Sequence, residues 1–142
     1  MTAPLEILGG VGREQVEQIE RTLEAWNRGD VDAMLVEVHP DAEWAVAEEN
    51  PDARLLHGID EIRAYLVDWR ETIHGLHYDV AEHLDAGDAV VTLGTMLGRA
   101  GADGPELSVT LAFVTRFDGT VAVRTEEYLD AARALEAAGI ER

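Results

Sequence analysis

Two adjacent carboxylates, Glu126 and Glu127, lie in the otherwise apolar stretch VAVRTEEYLD at residues 121–130. This stretch predicts the last strand of a sheet, because strand side chains alternate between two faces. Glu126 shares one face with Arg124. The face of Glu127 is more apolar and holds Val121, Val123, Thr125 and Leu129. We therefore expect Glu127 to point into the core.

A carboxylate in an apolar core is unfavourable unless it is paired, hydrogen-bonded or protonated. Burial raises the pKa of such a group towards values that suit proton transfer near neutrality. Glu127 is therefore predicted to be a general acid or base. The alternative is structural, with Glu127 bonded to a backbone group or paired with an arginine. Glu126 is explained more simply as a surface ion pair with Arg124.

The composition of the chain limits the kinds of partner that it can bind. The 142 residues suffice for one domain with a sizeable core. The net charge of −18 disfavours nucleic acid and anionic lipid, since both select positive protein surfaces. The chain has no cysteine, no apolar run long enough to span a bilayer and no signal-peptide pattern. We expect a cytoplasmic protein that binds neither nucleic acid nor membrane.

No pattern in the sequence predicts a cofactor or a metal. The glycines at residues 100–105 lie between two strands, so no helix N-terminus follows to hold a phosphate. His74 and His77 straddle Gly75, and His77 and His83 are placed on the polar face of one strand, opposite an apolar face that holds Tyr78 and Leu84. Metal sites usually need a preformed cluster of three or four ligands. We expect no cofactor and no metal.

Helices are predicted early in the chain and strands late. Residues 1–10 read as a loose lead-in, and residues 11–142 as one domain. Apolar residues recur at helical spacing in residues 11–28 and 59–73, and a shorter helix follows Asp30 and ends at Pro40. A short alanine-rich helix occupies residues 131–138. Strands are predicted at residues 42–49, 76–84, 89–99, 107–117 and 121–130, with residues 54–58 as an irregular link.

This order predicts an α+β fold, in which helices pack on one face of a mostly antiparallel sheet. A strongly curved sheet that wraps around three helices forms a cone with one open end. Such a concavity is a common site for small molecules.

Four stretches resemble the SnoaL-like branch of the NTF2-like superfamily, which has a cystatin-like fold and includes polyketide cyclases, ketosteroid isomerases and limonene epoxide hydrolases. They are LEAWNRGDVDAM (residues 23–34), HPDAEW (39–44), HGIDEIRAYLVDW (57–69) and FDGTVAVRTEEYLD (117–130). The resemblance covers most of the chain and implies a cone-shaped sheet, a hydrophobic pocket and a homodimer formed through the convex sheet face.

The resemblance also places the pocket. Its catalytic candidates are Glu127, Tyr65, whose hydroxyl can donate to a ligand oxygen, and His57, near the expected cone mouth. The residues expected to line the pocket are Trp44, Val46, Trp69, Met34, Thr92, Met96 and Val114. The isomerases' general base would fall near Val46 and is absent here. The epoxide hydrolases' Arg-x-Asp pair is replaced by Gly94 and Met96, while their last-strand acid matches Glu127, or Glu126 if Gly119 sets the alignment.

The favoured interpretation is a cofactor-free enzyme that uses acid–base chemistry on a small, hydrophobic, oxygenated molecule, as an isomerase, cyclase or hydrolase. The alternative is a non-catalytic protein that keeps the pocket and binds a small ligand. A protein-interaction module is less favoured, because no residue pattern marks a partner site.

Overall fold

A computed structural model describes residues 9–51 and 53–141 of the chain. It has four helices and six strands, which we number in chain order. The helices are α1 (Gly9–Asn27), α2 (Val31–Met34), α3 (Ile59–Thr72) and α4 (Ala131–Ala137). The strands are β1 (Val38–Ala45), β2 (Leu55–His57), β3 (His74–Asp85), β4 (Ala89–Arg99), β5 (Glu106–Asp118) and β6 (Val121–Tyr128).

The six strands form one curved, open sheet in the order β2-β1-β6-β5-β4-β3. β1 runs parallel to β6, and all other neighbours are antiparallel. The long hairpins β3–β4 and β4–β5 follow from turns after Asp85 and Arg99, where glycines supply positive φ angles at Gly87 and Gly101. The predicted α+β fold with a mostly antiparallel curved sheet is confirmed.

The main core lies between one face of the sheet and the helices α1, α2 and α3. It contains buried residues from every one of these helices and from the sheet, including Trp26, Met34, Ile62, Leu66 and Tyr78. We call this the inner face of the sheet. Apolar stripes on α1 and α3 face it, as the sequence periodicity predicts.

The fourth helix packs on the opposite, outer face. Ala134 of α4 forms a separate buried cluster with Val91, Ala112 and Val114. These residues alternate along β4 and β5 with inner-face residues such as Thr92 and Phe113. The helices are therefore divided between both faces, which corrects the prediction that they pack on one face only.

Several element boundaries differ from the prediction. β1 begins at Val38 rather than at residue 42, so it includes Pro40, and the second helix is a single turn. Residues 55–57, predicted as an irregular link, form the edge strand β2 by pairing with β1. Gly9 and Gly10 belong to α1, and the rest of the predicted lead-in, residues 1–8, lies outside the described residues.

A β-bulge in β6 changes which residues face the core. Arg116 pairs with Arg124, but Phe117 pairs with Ala122, so Val123 is an extra residue. The predicted alternation of side-chain faces holds from Arg124 to Tyr128 and fails in the residues before Arg124. Ala122 is buried and Val121 is exposed, which corrects the prediction that Val121 points into the core.

A second bulge, in β3, reverses the faces of two more residues. The register shifts between Val80 and Glu82, and His83 then pairs with Thr92 on β4. His83 is consequently buried, whereas it was predicted on the polar face beside His77. Leu84, predicted to face the core with Tyr78, packs in the outer cluster beneath α4 instead.

Candidate active site

A cavity of about 690 Å³ opens between the inner face of the sheet and helices α1 and α3. Its walls are mainly apolar and aromatic, and they include Trp26, Trp44, Tyr65, Trp69 and Phe113. Several of these rings pack edge to face, with centroids 6.0 Å apart for Trp44–Phe113 and 6.4 Å for Tyr65–Trp69. A drug-sized ligand would fit in this volume.

Glu127 lies in the wall of this cavity and is only 8% exposed. It is the last inward-facing residue of β6. The burial arises because alternation after the Val123 bulge aims Thr125 and Glu127 at the same interior space. A carboxyl here is removed from bulk water, as the sequence predicts.

Three donors surround the Glu127 carboxyl. The indole Nε1 of Trp44 donates to Oε2 at 2.6 Å. The Tyr65 hydroxyl lies 2.9 Å from Oε2 and 3.0 Å from Oε1. The backbone N–H of Ala47 donates to Oε1 at 3.4 Å. The three donors come from β1, from the middle of α3 and from the segment after β1.

These surroundings act on the pKa of Glu127 in opposite directions. Burial raises the pKa of the carboxyl above its usual value, and the hydrogen bonds from Trp44, Tyr65 and Ala47 partly oppose that rise. Burial and the nearby Glu127 charge both raise the pKa of Tyr65, so its phenol stays protonated. The arrangement can hold a proton on Glu127 or accept one there, while Tyr65 donates a hydrogen bond.

Glu126 points to the outer face. Its carboxylate pairs with Arg124 at 3.0 Å and accepts from the Tyr128 hydroxyl at 3.2 Å. Arg124 also pairs with Glu43 at 2.6 Å. The predicted ion pair with Arg124 is present, although it is half-buried rather than at the surface, and of the two adjacent acids only Glu127 reaches the cavity.

Most of the predicted pocket residues lie together. Trp44, Trp69, Met34, Thr92 and Met96 all line the cavity, as do Glu127 and Tyr65. Two predicted members do not line it. Val46 is buried in the main core, and Val114 packs against α4 because it occupies the outer face of β5.

His57 lies away from the cavity. Its side chain is exposed and sits 3.7 Å from Glu43 on the outer face. Its backbone N–H donates to Glu61 in the first turn of α3, at 2.9 Å. The predicted place at the cone mouth is therefore corrected, because His57 helps to start a helix.

Gly94, predicted on the pocket face, is covered by another residue. A Cβ at this position would lie 2.7 Å from the Tyr78 hydroxyl oxygen and would collide with the Asp79 carbonyl oxygen. The ring of Tyr78 occupies this space, and its hydroxyl donates to the Leu111 carbonyl at 2.5 Å. Gly94 thus allows Tyr78 to pack across the sheet.

Sequence reasoning missed several cavity residues. Phe113, Thr115, Leu111 and Ala47 line the cavity, and so does Gln18 of α1. The alternation of β5 gave a usable signal for Leu111, Phe113 and Thr115, since all three share one face. Ala47 contacts Glu127 through its backbone N–H, so its residue type gave no indication of this role.

Within residues 9–51 and 53–141, no group of three or more histidines, cysteines or carboxylates is close enough to hold a metal ion. In the same part of the chain, no helix combines the length and the apolar character that crossing a membrane requires.

Solved structures share this fold. An NTF2-like protein of unknown function from Burkholderia pseudomallei K96243 superposes with a TM-score of 0.73 at 24% identity, over 87% of this chain and 95% of that chain. TerC, co-crystallised with polyporic acid, superposes with a TM-score of 0.72 at 21% identity, over 89% of this chain and 98% of TerC. A candidate SnoaL-like polyketide cyclase from Jannaschia sp. CCS1 superposes with a TM-score of 0.73 at 16% identity, over 92% of this chain and 94% of that chain.

No curated protein matches the chain in sequence. The family model for the SnoaL-like domain matches residues 19–124, which include α3, β3, β4 and β5 in full. This match, three quarters of the chain, agrees with the NTF2-like fold of the solved structures. The chain belongs to the SnoaL-like domain family.

Proposed function

We propose that the chain is an enzyme that moves a proton on a small, hydrophobic, oxygenated molecule, with Glu127 as the acid or base. The observation that carries the proposal is the buried Glu127 carboxyl, held by Trp44 and Tyr65 in the wall of a largely apolar cavity. Isomerisation, aldol-type cyclisation and water addition all begin with such a transfer.

The surroundings of Glu127 support both directions of transfer. As a neutral acid it can donate a proton to a ligand oxygen, and as a carboxylate it can remove a proton from carbon. Fixed donors in a site that excludes water stabilise developing charge better than mobile water does. The side chains that supply fixed donors to the Glu127 oxygens are Tyr65 of α3, through its hydroxyl, and Trp44 of β1, through its indole N–H.

A test that needs no knowledge of the product is hydrogen–deuterium exchange. The protein would be incubated in D₂O with a panel of uncharged cyclic ketones, and loss of the C–H signal next to each carbonyl would be followed by NMR. We expect at least one ketone to exchange faster with wild type than with Glu127→Gln, by about 100-fold or more.

Glu126→Gln is the matched control, since it makes the same chemical change one residue away on the outer face. It should retain wild-type exchange. The proposal is wrong if Glu127→Gln, folded by circular dichroism, exchanges the ketones as fast as wild type, or if no ketone exchanges above the buffer rate.

A second candidate function is ligand binding without turnover. It is favoured by the absence, among the described cavity-lining residues, of a second acid or base beside Glu127, apart from the rim carboxylates Glu49 and Glu106. In that case Glu127→Gln would change ligand affinity only, and Trp44→Ala would weaken binding more than Glu127→Gln does.

The homodimer and the cytoplasmic location stay predictions. Assembly through the outer face would bring β3, β4 and β5 of two chains together, near the exposed pair His77–Asp79. Light scattering of the purified chain measures its mass, and a monomer at micromolar concentration would contradict the dimer.

A further inference from the structure

The cavity has an open end and a closed end. Exposed lining residues mark the open end, and they include Glu49, Glu106 and Ser108. At the other end the lining residues are buried, as at Thr115 and Ala122. Along β5 the order from open to closed end is Ser108, Leu111, Phe113, Thr115. A ligand that enters beside Ser108 would therefore reach Thr115 last.

Two hydroxyls meet near the closed end. Thr115 on β5 pairs directly with Thr125 on β6, and both side chains line the cavity. Directly paired residues place their Cβ atoms about 5 Å apart on one face. Neither hydroxyl has a hydrogen-bond partner among the residues that the structure describes. Thr115 is buried and Thr125 half-buried, and both hydroxyls are open to the cavity. A ligand that covers them must offer a polar group, because a hydroxyl that loses water without gaining a partner is unfavourable.

The hydroxyl pair has a fixed relation to Glu127. Thr125 lies two residues before Glu127 on β6, which corresponds to roughly 7 Å along the strand. Glu127 pairs with Phe113 on β5, and Phe113 lies two residues before Thr115. A flat ligand lying across the aromatic ring of Phe113 could therefore reach both Glu127 and the hydroxyl pair.

The charges of the wall restrict the ligand further. Among the described residues that line the cavity, none is a lysine, arginine or histidine, whereas Glu49, Glu106 and Glu127 are carboxylates. Arg54 approaches the Tyr65 ring at 5.8 Å but does not line this cavity. An anionic ligand would enter without a countercharge, so the cavity disfavours it.

We propose that Thr115 and Thr125 form a second polar subsite, which binds a neutral hydroxyl or carbonyl oxygen at the inner end of the ligand. The ligand is then an uncharged molecule with a flat apolar body and two oxygen functions, one at the threonine pair and one at Glu127 and Tyr65. This assignment rests on the proposed function for the role of Glu127, but the threonine subsite can be tested by binding alone.

The experiment compares 2,6-dihydroxynaphthalene, which has an oxygen at each end, with 2-naphthol, which has one. Affinities would be measured by calorimetry or by quenching of tryptophan fluorescence. We expect wild type to bind the two-oxygen probe about 3- to 10-fold more tightly, as one additional hydrogen bond allows. The charged probe 6-hydroxy-2-naphthoate should bind more weakly than either.

The double variant Thr115→Val/Thr125→Val removes both hydroxyls and keeps the branched shape. It should bind both uncharged probes equally, with its affinity for 2-naphthol within twofold of wild type. Thr110→Val is the control, because this exposed threonine lies on the outer face of β5. Melting temperatures of all variants would establish that they are folded.

Three results would overturn the subsite. They are equal affinities of wild type for the two uncharged probes, a preference that survives in the double variant, and no binding of the two-oxygen probe up to its solubility. Failure of the proposed proton transfer is separate, because it appears in deuterium exchange with Glu127→Gln and leaves the threonine-dependent preference measurable.

Discussion

The indole nitrogen of Trp44 and the carboxylate of Glu127 are joined by a 2.6 Å hydrogen bond across 83 positions of sequence. The bond is possible because β1 runs parallel to β6, with Trp44 paired to Thr125 on the same inner face. The bond holds the carboxyl in the cavity wall, where none of the described lining residues is a lysine, arginine or histidine. Tyr65 completes this arrangement from α3.

Glu127 should make the fold less stable as pH rises. Its pKa in the folded protein is raised above the usual value of 4.5. Below pH 4.5 both states hold the proton. Above it the unfolded state releases the proton first, so the free energy of unfolding falls as pH rises towards the folded pKa.

Urea unfolding of wild type and Glu127→Gln across pH 4–8 measures this effect. We expect the stability of wild type relative to the variant to decrease with pH. Glu126→Gln should retain the wild-type slope. A relative stability that increases with pH would mean that the Glu127 pKa is lowered in the folded protein.

Tyr65→Phe should raise the pKa of Glu127 further, because the Tyr65 hydroxyl donates to the carboxylate and opposes the effect of burial. NMR titration of the Glu127 side-chain carbon measures the change. Tyr78→Phe is the control, since its hydroxyl donates to the Leu111 carbonyl instead. Each variant should lose about 1 kcal/mol of stability, but only Tyr65→Phe should move the titration. Equal titrations in both variants would contradict the hydrogen bond.

His83 should make the protein sensitive to acid. It is 7% exposed, its Nδ1 lies 3.0 Å from the Thr92 hydroxyl, and no described residue bonds to its Nε2. Burial lowers its pKa from 6.5 to about 4. The neutral imidazole therefore contributes stability above pH 6.5, and this contribution is lost as pH falls towards 4.

The lowered pKa of His83 corresponds to roughly 3 kcal/mol of folding stability, at ~1.4 kcal/mol for each pKa unit. Unfolding of His83→Gln and wild type between pH 7.5 and 4 tests this, and we expect the variant to lose less stability on acidification. His77→Gln controls for removing an exposed imidazole. Parallel pH profiles for wild type and His83→Gln would show that His83 titrates normally.

Gly94→Ala should destabilise the protein by about 1–3 kcal/mol, the usual cost of overfilling a packed site. The new methyl group would meet the Asp79 carbonyl and the Tyr78 ring. Urea denaturation gives the change in free energy of unfolding. Thr95→Ala, at the next residue and on the outer face, should change it by about 0.5 kcal/mol or less. A neutral Gly94→Ala would show that Tyr78 does not pack over this glycine.

Local patterns were sufficient for much of the fold and for the main site residue. Helical spacing identified α1 and α3, and strand alternation identified β4 and β5 closely. Alternation also distinguished Glu127 from Glu126, because neighbouring strand residues face opposite sides and only one side was apolar. These properties depend on residues close together in sequence, so they can be read from it.

Local patterns failed where the sheet is irregular. The bulges at Val123 and between Val80 and Glu82 each add one residue to one strand, which reverses the faces of the residues on one side of the bulge. Val121, His83 and Leu84 were consequently assigned to the wrong face. A bulge is a property of pairing between two strands, and a single strand's alternation does not reveal it.

The partners of Glu127 were decided only by the tertiary structure. The sequence alone placed a carboxyl in an apolar strand and named Tyr65 and Trp44 as separate candidates. Their meeting at one carboxyl required the parallel pairing of β1 with β6 and the packing of α3 across the sheet. Val114 is excluded from the cavity because it lies on the outer face of β5, and His57 because β2 holds it beside Glu43 on the outer face. Contacts over 62 to 83 positions depend on how whole elements pack, and the pattern within any one element does not specify them.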